Sequence, residues 1–473
     1  MVRLLPYSDW DDINWKRINY RVRKIQKRIA EATLHKDWHK VRELQNLVMH
    51  SYDCRLYAVH RVTTRKNIRT PGLDGLFLST SAERFAAVDA LDYRNYYPQP
   101  FKRFYVPKDH DKSRKRPLSV PNIFDRAAEA LFLIAIDPVV ETLADAHAYG
   151  FRRKRSAQDA VRDIVENFGL LHGRQWVLKA DVKGCFDHLS HDWILQNIVF
   201  DKTLMRRILK CGYVYQERKY PLYEGMPQGG VLSPTITTFV LSGFEAVLSA
   251  EFAEYNVRMV RFVDDFIFAA DSSVVLENVR VRLSAFLAER GLWLAPEKTE
   301  IVHVSQGFDF IGWHFQKMGD TLSVGASAWS IDELKGRIEK ILIAGRSWTT
   351  RRLILRLNDV ILGWGLYHKY LCSPEVFADL DEWVQSVLWR WARIRWRAKS
   401  AAWIYAHHWT YDSISMRKEF SSTGVSLMRF SDIVVRTNLT HDISKNPYLE
   451  YRYFQTREKM HYEFKKIREG QTL

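Results

Sequence analysis

The chain has 473 residues, of which 47% are hydrophobic, and it carries a formal net charge of +16. This length and apolar content exclude a disordered chain and predict roughly two to four folded domains. The charge favours a polyanionic partner, most simply nucleic acid, over a basic surface that binds nothing. The 4 cysteines form no CxxC pair, which excludes a Cys-rich zinc module and a disulfide framework.

The sequence also argues against a membrane or secreted protein. Residues 1–15 lack the apolar core of a secretory signal. The longest apolar run, around residues 130–136, is too short to span a bilayer. We therefore expect a cytoplasmic protein in reducing surroundings, with no membrane partner.

The N-terminal region is predicted to be helical and basic. Within residues 12–35, apolar side chains recur at helical spacing from Ile18 to Ile29, and lysines and arginines cover much of the remaining surface. A second amphipathic stretch runs from Trp38 to Val48. We expect these helices to form an RNA-facing extension; a merely solvated helix surface is the alternative.

The middle of the chain mixes helix-like and strand-like patterns. It follows a turn-rich segment at Pro71–Gly75, and Ile123–Leu143 is predicted to be a helix. Strands are predicted at Phe101–Pro107, Arg116–Val120, Gln175–Val182, Arg258–Val263, Phe266–Ala270, Thr299–Val304 and Phe308–Phe315.

The last part of the chain is predicted to be helical and then irregular. Roughly three helices are expected from Ser330 to Trp396, whereas residues 410–473 are polar, charged and irregular. Half of the 16 tryptophans fall between Trp348 and Trp409. Tryptophans among basic residues suit a surface that stacks bases, but an aromatic-rich helical core explains most of them better.

Carboxylates occur at the ends of two strand-like segments. Asp181 ends one strand, which alone indicates little because such an acid is usually a turn or cap residue. Met259–Ala270 is predicted to be a hairpin with Asp264 and Asp265 at its tip. Tight hairpins favour Gly where φ is positive, yet no Gly is present, and the adjacent carboxylates repel each other. Turn strain and carboxylate repulsion both destabilise this hairpin, so we expect the two negative charges to serve a function. A bound divalent cation would offset the repulsion.

These acids suit phosphoryl transfer from a nucleoside triphosphate. Mg²⁺ prefers oxygen ligands, and two ions about 4 Å apart can activate a 3′-hydroxyl and stabilise the leaving pyrophosphate. We expect Asp181 and Asp264, on neighbouring strands, to bridge both ions, with Asp265 as the third acid. A solvent-exposed acidic turn is the alternative.

A glycine-rich stretch, GMPQGGVLSP at residues 225–234, lies between the acidic segments. Gly229 and Gly230 allow the backbone to approach a ligand closely. Ser233, followed by proline, is predicted to be the N-cap of a helix that runs toward Phe252. The amide-rich start of this helix suits a phosphate or a nucleotide.

Short blocks with a characteristic order run along nearly the whole chain. They are TPGLDG (70–75), YVPK (105–108), KRPLSVP (115–121), YGFR (149–152), DVKGCFDHLSH (181–191), GMPQGGVLSP (225–234), RFVDD (261–265), GLWLAPEKTEIVH (291–303), FDFIGWHF (308–315), ILGWGLYHKY (361–370) and LWRWARIRW (388–396). In order and spacing they resemble the reverse transcriptases encoded within bacterial group II introns, of the chloroplast-like class. No single block is decisive, but the ordered set is specific.

The resemblance implies an α+β right-hand polymerase. It places a basic helical extension at residues 1–70, fingers and palm with an antiparallel sheet at 71–320, a helical thumb (the maturase X domain) at 325–409, and a DNA-binding-like tail at 410–473. The implied activity is RNA-directed DNA synthesis with two Mg²⁺ ions, Mn²⁺ being an alternative, together with intron RNA binding that assists splicing. The implied partners are structured intron RNA, an RNA template with a DNA primer, dNTPs and target DNA; a homodimer remains open.

The same resemblance implies roles for individual residues. The catalytic acids are Asp181, Asp264 and Asp265, and the metal ligands are Asp181, Val182 and Asp264. Nucleotide contacts are implied for Lys108, Arg116, Phe186, Gln228 and Lys298. The bulky Phe186 ring would clash with a 2′-hydroxyl and so favour dNTPs, and the cations suit the triphosphate charge.

Three features depart from the family pattern. The hairpin reads Phe262-Val263 where Tyr-Ala is usual, and Arg153-Lys154-Arg155 follows YGFR where Pro-Gly-Arg is common. Asn446–Phe454 resembles the spacer that precedes the family's HNH nuclease, but no Cys follows Cys372, so we expect this nuclease to be absent.

Two alternative functions stay open: a domesticated enzyme of DNA repair or phage defence, and an RNA-binding splicing factor without polymerase activity. The presence of all three acids argues against the second.

Overall fold

The chain forms two compact units. In the computed structural model, the first unit comprises Met1–Asp163, Val177–Ile301 and His441–Leu473, and the second comprises Ile164–Trp176 and Val302–Thr440. The structure describes residues 7, 9–64, 70–107, 115–169, 173–412, 416–433 and 442–457.

Helices and strands alternate along the described residues, as the mixed sequence patterns predict. The α-helices are α1 (Trp15–Leu34), α2 (Trp38–His50), α3 (Tyr52–Thr63), α4 (Ser81–Ala90), α5 (Ile123–Leu143), α6 (Ala157–Asn167), α7 (Cys185–His188), α8 (His191–Asn197), α9 (Lys202–Leu209), α10 (Ser233–Leu241), α11 (Phe244–Glu251), α12 (Ser273–Ala288), α13 (Ala328–Ala344), α14 (Thr350–His368), α15 (Pro374–Arg395) and α16 (Ala401–His408). The strands are β1 (Phe101–Pro107), β2 (Lys115–Val120), β3 (Trp176–Asp181), β4 (Tyr213–Tyr215), β5 (Arg218–Tyr220), β6 (Arg258–Phe262), β7 (Asp265–Ala270), β8 (Glu300–His303), β9 (Phe308–Phe310), β10 (Trp313–Met318), β11 (Thr321–Ala326), β12 (Trp409–Asp412), β13 (Arg417–Ser422) and β14 (Val425–Ser426).

Helix α5 is the hydrophobic centre of the first unit. Nearly all of its side chains are buried, and α1, α2, α3 and α10 pack against it. Helix α1 buries Ile18, Val22 and Ile29 and keeps its lysines and arginines exposed, so the predicted basic amphipathic helix is confirmed. Neither α5 nor any other helix in the described ranges is long and apolar enough to cross a membrane.

Two four-stranded sheets organise the residues around the acids. One has the strand order β2-β1-β4-β5, in which β1 and β2 pair antiparallel. The other has the order β6-β7-β3-β8, in which β6 and β7 form an antiparallel hairpin. Strands β3 and β7 are neighbours, and a side-chain hydrogen bond joins Asp181 at the end of β3 to Asp265 at the start of β7.

The second unit is built on α13, α14 and α15, which confirms the three predicted helices. Their apolar faces share one core that includes Leu353 and Leu388. Trp391 is buried in it, and its indole N–H donates to the carbonyl of Leu342 at 2.9 Å. Trp409 is also buried there, so both tryptophans serve the core rather than a base-stacking surface. The unit also contains the sheets β11-β10-β9 and β12-β13-β14.

Three predicted elements need correction. The run Phe308–Phe315 forms two strands, β9 and β10, because Ile311 and Gly312 adopt positive φ and turn the chain. The helix after the glycine-rich stretch does not continue toward Phe252, since it ends at Leu241 and α11 begins after Gly243 at a φ of 105°. Residues 410–473 are not irregular throughout, because β13, β14 and most of β12 lie among them.

Candidate active site

The predicted acidic hairpin is a two-residue turn between β6 and β7. Phe262 pairs with Asp265, so Val263 and Asp264 form the tip, and Asp265 begins β7 instead of lying at the tip as expected. Val263 has a φ of 60°. A two-residue hairpin with positive φ at its first position normally has Gly there, and a β-branched residue is strained by about 1–2 kcal/mol. The turn therefore needs support from its surroundings.

Arg261 and Gly150 supply that support. Arg261 is 1% exposed as a residue; its Nη1 donates to the carbonyl of Val263 at 3.0 Å and its Nη2 to the hydroxyl of Ser242 at 3.2 Å. A Cβ placed on Gly150 would lie 2.3 Å from Val263 Cγ2 and 2.4 Å from the Val263 nitrogen. Our sequence reasoning missed both residues, although an arginine within an apolar strand signals a buried charge with a specific partner.

The three acids converge at the point where β3 ends and β7 begins. Asp265 shares a side-chain hydrogen bond with Asp181. Burial raises the pKa of Asp264, and the nearby Asp181 carboxylate raises it further. Burial likewise raises the pKa of Asp265, with added repulsion from Asp264 and Asp181. The fold thus gathers negative charge in one place, which a bound cation would relieve.

Two of the predicted cations reach these acids. Lys298 Nζ donates to Asp181 Oδ2 at 2.7 Å. The loop that carries it is tied to the sheet, because the amide of Ala295 donates to the Asp181 carbonyl at 2.8 Å. Arg116, on β2, acts electrostatically on Asp264 and is exposed. Lys108 lies outside the described residues.

The carboxylates of Asp181 and Asp264 and the backbone carbonyl of Val182 are oxygen donors of the kind that a divalent cation binds. Val182 directly follows Asp181, its side chain is buried, and it forms a bridge with Leu294 that fixes its backbone. Mg²⁺ takes oxygen ligands and commonly uses only one or two carboxylates. Within the part of the chain that the structure describes, no three His, Cys, Asp or Glu side chains form a ready metal site. The predicted ligands Asp181, Val182 and Asp264 would offer two carboxylates and one backbone carbonyl.

Phe186 lies on the short helix α7, close to the acids. The amide of Met226 donates to the Phe186 carbonyl at 2.7 Å, which joins α7 to the glycine-rich stretch. The Phe186 ring is half-buried and meets the Phe151 ring edge-on, with centroids 6.0 Å apart. A cavity of about 510 Å³ opens beside it, lined by Phe186, Met226 and by Arg103, Tyr105, Tyr213 and Tyr223. The lining thus combines aromatic rings with one cation, Arg103, and two acids, Asp187 and Glu224.

Gln228 is held by strand β2. Its carbonyl accepts a hydrogen bond from the amide of Ser119 at 2.7 Å. The next residue, Gly229, has a φ of 117°, and a Cβ there would lie 2.1 Å from the Ser119 carbonyl oxygen. The sequence predicted that Gly229 lets the backbone approach a ligand. In the structure Gly229 instead approaches the backbone of Ser119, and this contact sets the position of Gln228.

The start of α10 is capped by a residue that the sequence did not suggest. Ser233 is the first residue of the helix rather than its N-cap, which is Leu232, and the Ser233 hydroxyl donates to the carbonyl of Pro227 at 2.8 Å. The Glu129 carboxylate, from α5, accepts hydrogen bonds from the amides of Val231 at 2.5 Å and Leu232 at 3.2 Å. A buried acid from another helix therefore replaces the local cap.

Glu129 makes the stability of this region depend on pH. Burial raises the pKa of its carboxyl from the ordinary 4.5 to about 7. The Glu129 pKa is higher in the folded protein than in the unfolded chain, so the protonated carboxyl favours folding. This contribution to the unfolding free energy is complete below the pKa of the unfolded chain and is lost as pH rises through about 7. We expect the unfolding free energy of the wild type to fall by roughly 2 kcal/mol more than that of Glu129→Gln between about pH 5 and about pH 8. Urea unfolding of both proteins measures this difference, and equal pH slopes would contradict it.

Comparison with protein families identifies the family of this chain. Residues 106–315 match the reverse transcriptase (RNA-dependent DNA polymerase) family, residues 10–91 match the N-terminal domain of reverse transcriptase, and residues 331–409 match the group II intron maturase-specific domain. The chain belongs to the group II intron reverse transcriptase and maturase family. This membership confirms the resemblance, the α+β polymerase class and the classification as a reverse transcriptase.

Individual proteins are similar to the chain over part or most of their length. The chain is 30% identical to the group II intron-encoded protein LtrA of Lactococcus lactis over 40% of this chain and 32% of LtrA. It is 28% identical to protein YkfC of Escherichia coli over 53% of this chain and 77% of YkfC. It is 24% identical to maturase-like protein 1 of Euglena gracilis over 78% of this chain and 79% of that protein. The match thus spans about a third of LtrA and most of the other two.

Solved structures show a weaker likeness. Apo telomerase from Candida tropicalis aligns with a TM-score of 0.40 and 15% identity, covering 65% of this chain and 58% of that chain. Telomerase from Candida albicans with a fragment of telomeric RNA aligns with a TM-score of 0.38 and 14% identity, covering 58% and 54%. The family assignment therefore rests on the sequence matches.

Proposed function

We propose that the protein copies RNA into DNA by adding dNTPs to a primer 3′-hydroxyl. The observation that carries this proposal is the convergence of Asp181, Asp264 and Asp265 at the β3 and β7 strand ends, with Lys298 bound to Asp181. Family membership supports the same chemistry. Repulsion among three carboxylates lowers the stability of the fold. Metal binding in a polymerase site explains why the three acids are nevertheless held together.

Asp181 and Asp264, with the carbonyl of Val182, are the residues that we propose hold Mg²⁺, or Mn²⁺ in its place. The bound ions supply activation of the 3′-hydroxyl and charge stabilisation of the leaving pyrophosphate. Asp265, as the third acid, keeps Asp181 in place through their shared hydrogen bond. The raised pKa of Asp265, caused by burial and its acidic neighbours, supports this division of roles.

The nucleotide contacts are proposed on similar grounds. Arg116 and Lys298 bring positive charge to the acids, where a triphosphate would bind. Gln228 is held beside the same region through Ser119, and Phe186 lines the adjoining cavity. Lys108 stays a proposal from the sequence alone.

A second activity, RNA binding that assists splicing, is proposed from two observations. The maturase-specific domain matches residues 331–409, and the basic side chains of α1 are exposed. The intron RNA, the RNA template, the DNA primer and target DNA remain proposed partners, as does a homodimer. The domain limits remain proposals from the sequence: extension 1–70, fingers and palm 71–320, thumb 325–409 and tail 410–473.

Primer extension tests the polymerase proposal directly. The purified protein, given an RNA template, an annealed DNA primer, dNTPs and Mg²⁺, should extend the primer to the template end. Chelation by EDTA should stop extension, because only the cations that the carboxylates hold can offset the negative charge of the reacting phosphates. Tight RNA binding without any extension would instead support the splicing-factor alternative.

Phe186→Val should weaken discrimination between dNTPs and rNTPs. The shorter side chain leaves room for a 2′-hydroxyl beside the cavity, so the dNTP preference in kcat/KM should fall by about tenfold to a hundredfold. Single-nucleotide incorporation with matched dNTP and rNTP measures this ratio. Phe77→Val, which alters an exposed ring, is the control and should keep the wild-type ratio. An unchanged ratio in Phe186→Val would remove Phe186 from the sugar site.

A further inference from the structure

The C-terminal segment, residues 442–457, packs within the first unit against the loop of residues 147–155. We propose that this segment positions the catalytic turn and Phe186 through that loop, and that Tyr448 and Arg457 are its positioning residues. The inference rests on the polymerase function proposed above. It gives a role in polymerisation to a part of the chain far from the acids in sequence.

Asp137, on α5, is the buried junction between the segment and the loop. Its carboxylate accepts hydrogen bonds from the Tyr448 hydroxyl, from Arg153 Nε at 2.5 Å and from the Thr235 hydroxyl at 3.1 Å. Thr235 belongs to α10, which follows the stretch that contains Gln228. Because a buried carboxylate needs such donors, the Tyr448 hydroxyl helps to hold the loop and α10 on the same anchor.

Arg457 attaches the far end of the segment. It forms an ion pair with Asp159 and donates from Nη1 to the carbonyl of Lys154 at 2.8 Å. Near the other end, Arg155 Nη2 donates to the carbonyl of Ile443 at 3.1 Å. The segment is therefore bound to the loop along its described length, and not only at Tyr448.

Two of these loop positions are departures from the family pattern. Arg153 stands where proline is common, and its guanidinium supplies the bond to Asp137 that proline cannot make. Lys154 stands where glycine is common and keeps a φ of 62°, which costs a non-glycine residue about 1 kcal/mol. Its carbonyl is the group that Arg457 binds. The loop sequence thus fits the segment that lies on it.

The loop in turn touches the active site at several points. The amide of Tyr149 donates to the Arg261 carbonyl at 2.8 Å, and the amide of Arg261 donates to the His147 carbonyl at 2.9 Å. The next two residues of the loop, Gly150 and Phe151, contact Val263 and the ring of Phe186 respectively. A shift of the loop therefore moves both the turn that carries Asp264 and the ring beneath the nucleotide.

A pair of matched substitutions tests the inference. Tyr448→Phe removes only the hydroxyl bound to Asp137, whereas Tyr451→Phe removes a hydroxyl in the same segment that bonds Gln455 and not the loop. We expect Tyr448→Phe to raise the KM for dNTP by about tenfold and to lower dNTP-over-rNTP discrimination. Its RNA affinity should stay near that of the wild type, and its unfolding midpoint should fall modestly because the buried Asp137 carboxylate loses one donor. Tyr451→Phe should match the wild type in every measurement.

The outcomes separate this inference from the proposed function. A wild type that extends no primer refutes the polymerase function. An active wild type with a Tyr448→Phe variant that keeps the wild-type KM and discrimination refutes the positioning role, even if the unfolding midpoint falls. If Tyr448→Phe does not accumulate as folded protein, Arg457→Met decides the matter with the same two readouts, because it loosens the loop at Lys154 by an independent contact.

Discussion

Asp264→Asn should reduce primer extension by at least about a thousandfold. The substitution keeps the size of the side chain but removes the negative charge at the tip of the β6–β7 turn. A neutral amide binds Mg²⁺ far more weakly than a carboxylate, so the reacting phosphates lose their charge stabilisation. Single-turnover extension with saturating dNTP measures the chemical step without interference from product release.

The control for this experiment is Asp271→Asn, which changes an exposed acid directly after β7. It should extend primers at the wild-type rate. Both variants should bind RNA with wild-type affinity, because that binding depends on the basic surface. Extension by Asp264→Asn within about tenfold of the wild type would contradict the assignment of this acid.

Gly150→Ala should also impair polymerisation strongly, although residue 150 makes no contact with the acids through a side chain. The added methyl group would lie 2.3 Å from Val263 Cγ2 and 2.4 Å from the Val263 nitrogen, far inside van der Waals contact. The turn must move, and a displacement of about 1 Å can lower a rate by about a hundredfold. We expect a loss of that order in kcat for primer extension.

Gly325→Ala is the matched control, because a Cβ there meets nothing within 4 Å. It should leave kcat unchanged. Adding Val263→Ala to Gly150→Ala removes Val263 Cγ2 but not the clash with the backbone nitrogen, so the double variant should recover only part of the lost rate. Full activity of Gly150→Ala alone would show that the turn tolerates displacement.

Several elements followed directly from the local sequence. The bounds Ile123–Leu143 and Phe101–Pro107 are those of α5 and β1, because each segment has a clear periodicity and a break at both ends. The order of the blocks was sufficient to predict the family. The acids were predicted to be catalytic because metal-dependent phosphoryl transfer needs carboxylates. The run Phe308–Phe315 was misread as one strand, since its apolar residues conceal a turn at Ile311.

The supports of the site were not visible in the sequence. Glu129 caps α10 from another helix, and Tyr448 meets Asp137 from 311 positions away. The residues next to Glu129 and Tyr448 in the sequence give no sign of these roles. Only the packing of distant segments buries the two side chains and supplies their hydrogen-bond partners.

The sequence by itself determined the helical or extended state of most segments, because periodicity acts over a few residues, and its ordered blocks indicated the family and the three acids. Only the tertiary structure decided that Val263 takes a left-handed conformation, that Asp265 bonds Asp181, and that the C-terminal segment braces the loop behind the turn. The physical reason is that a strained turn and a cluster of like charges exist only where surrounding packing holds them.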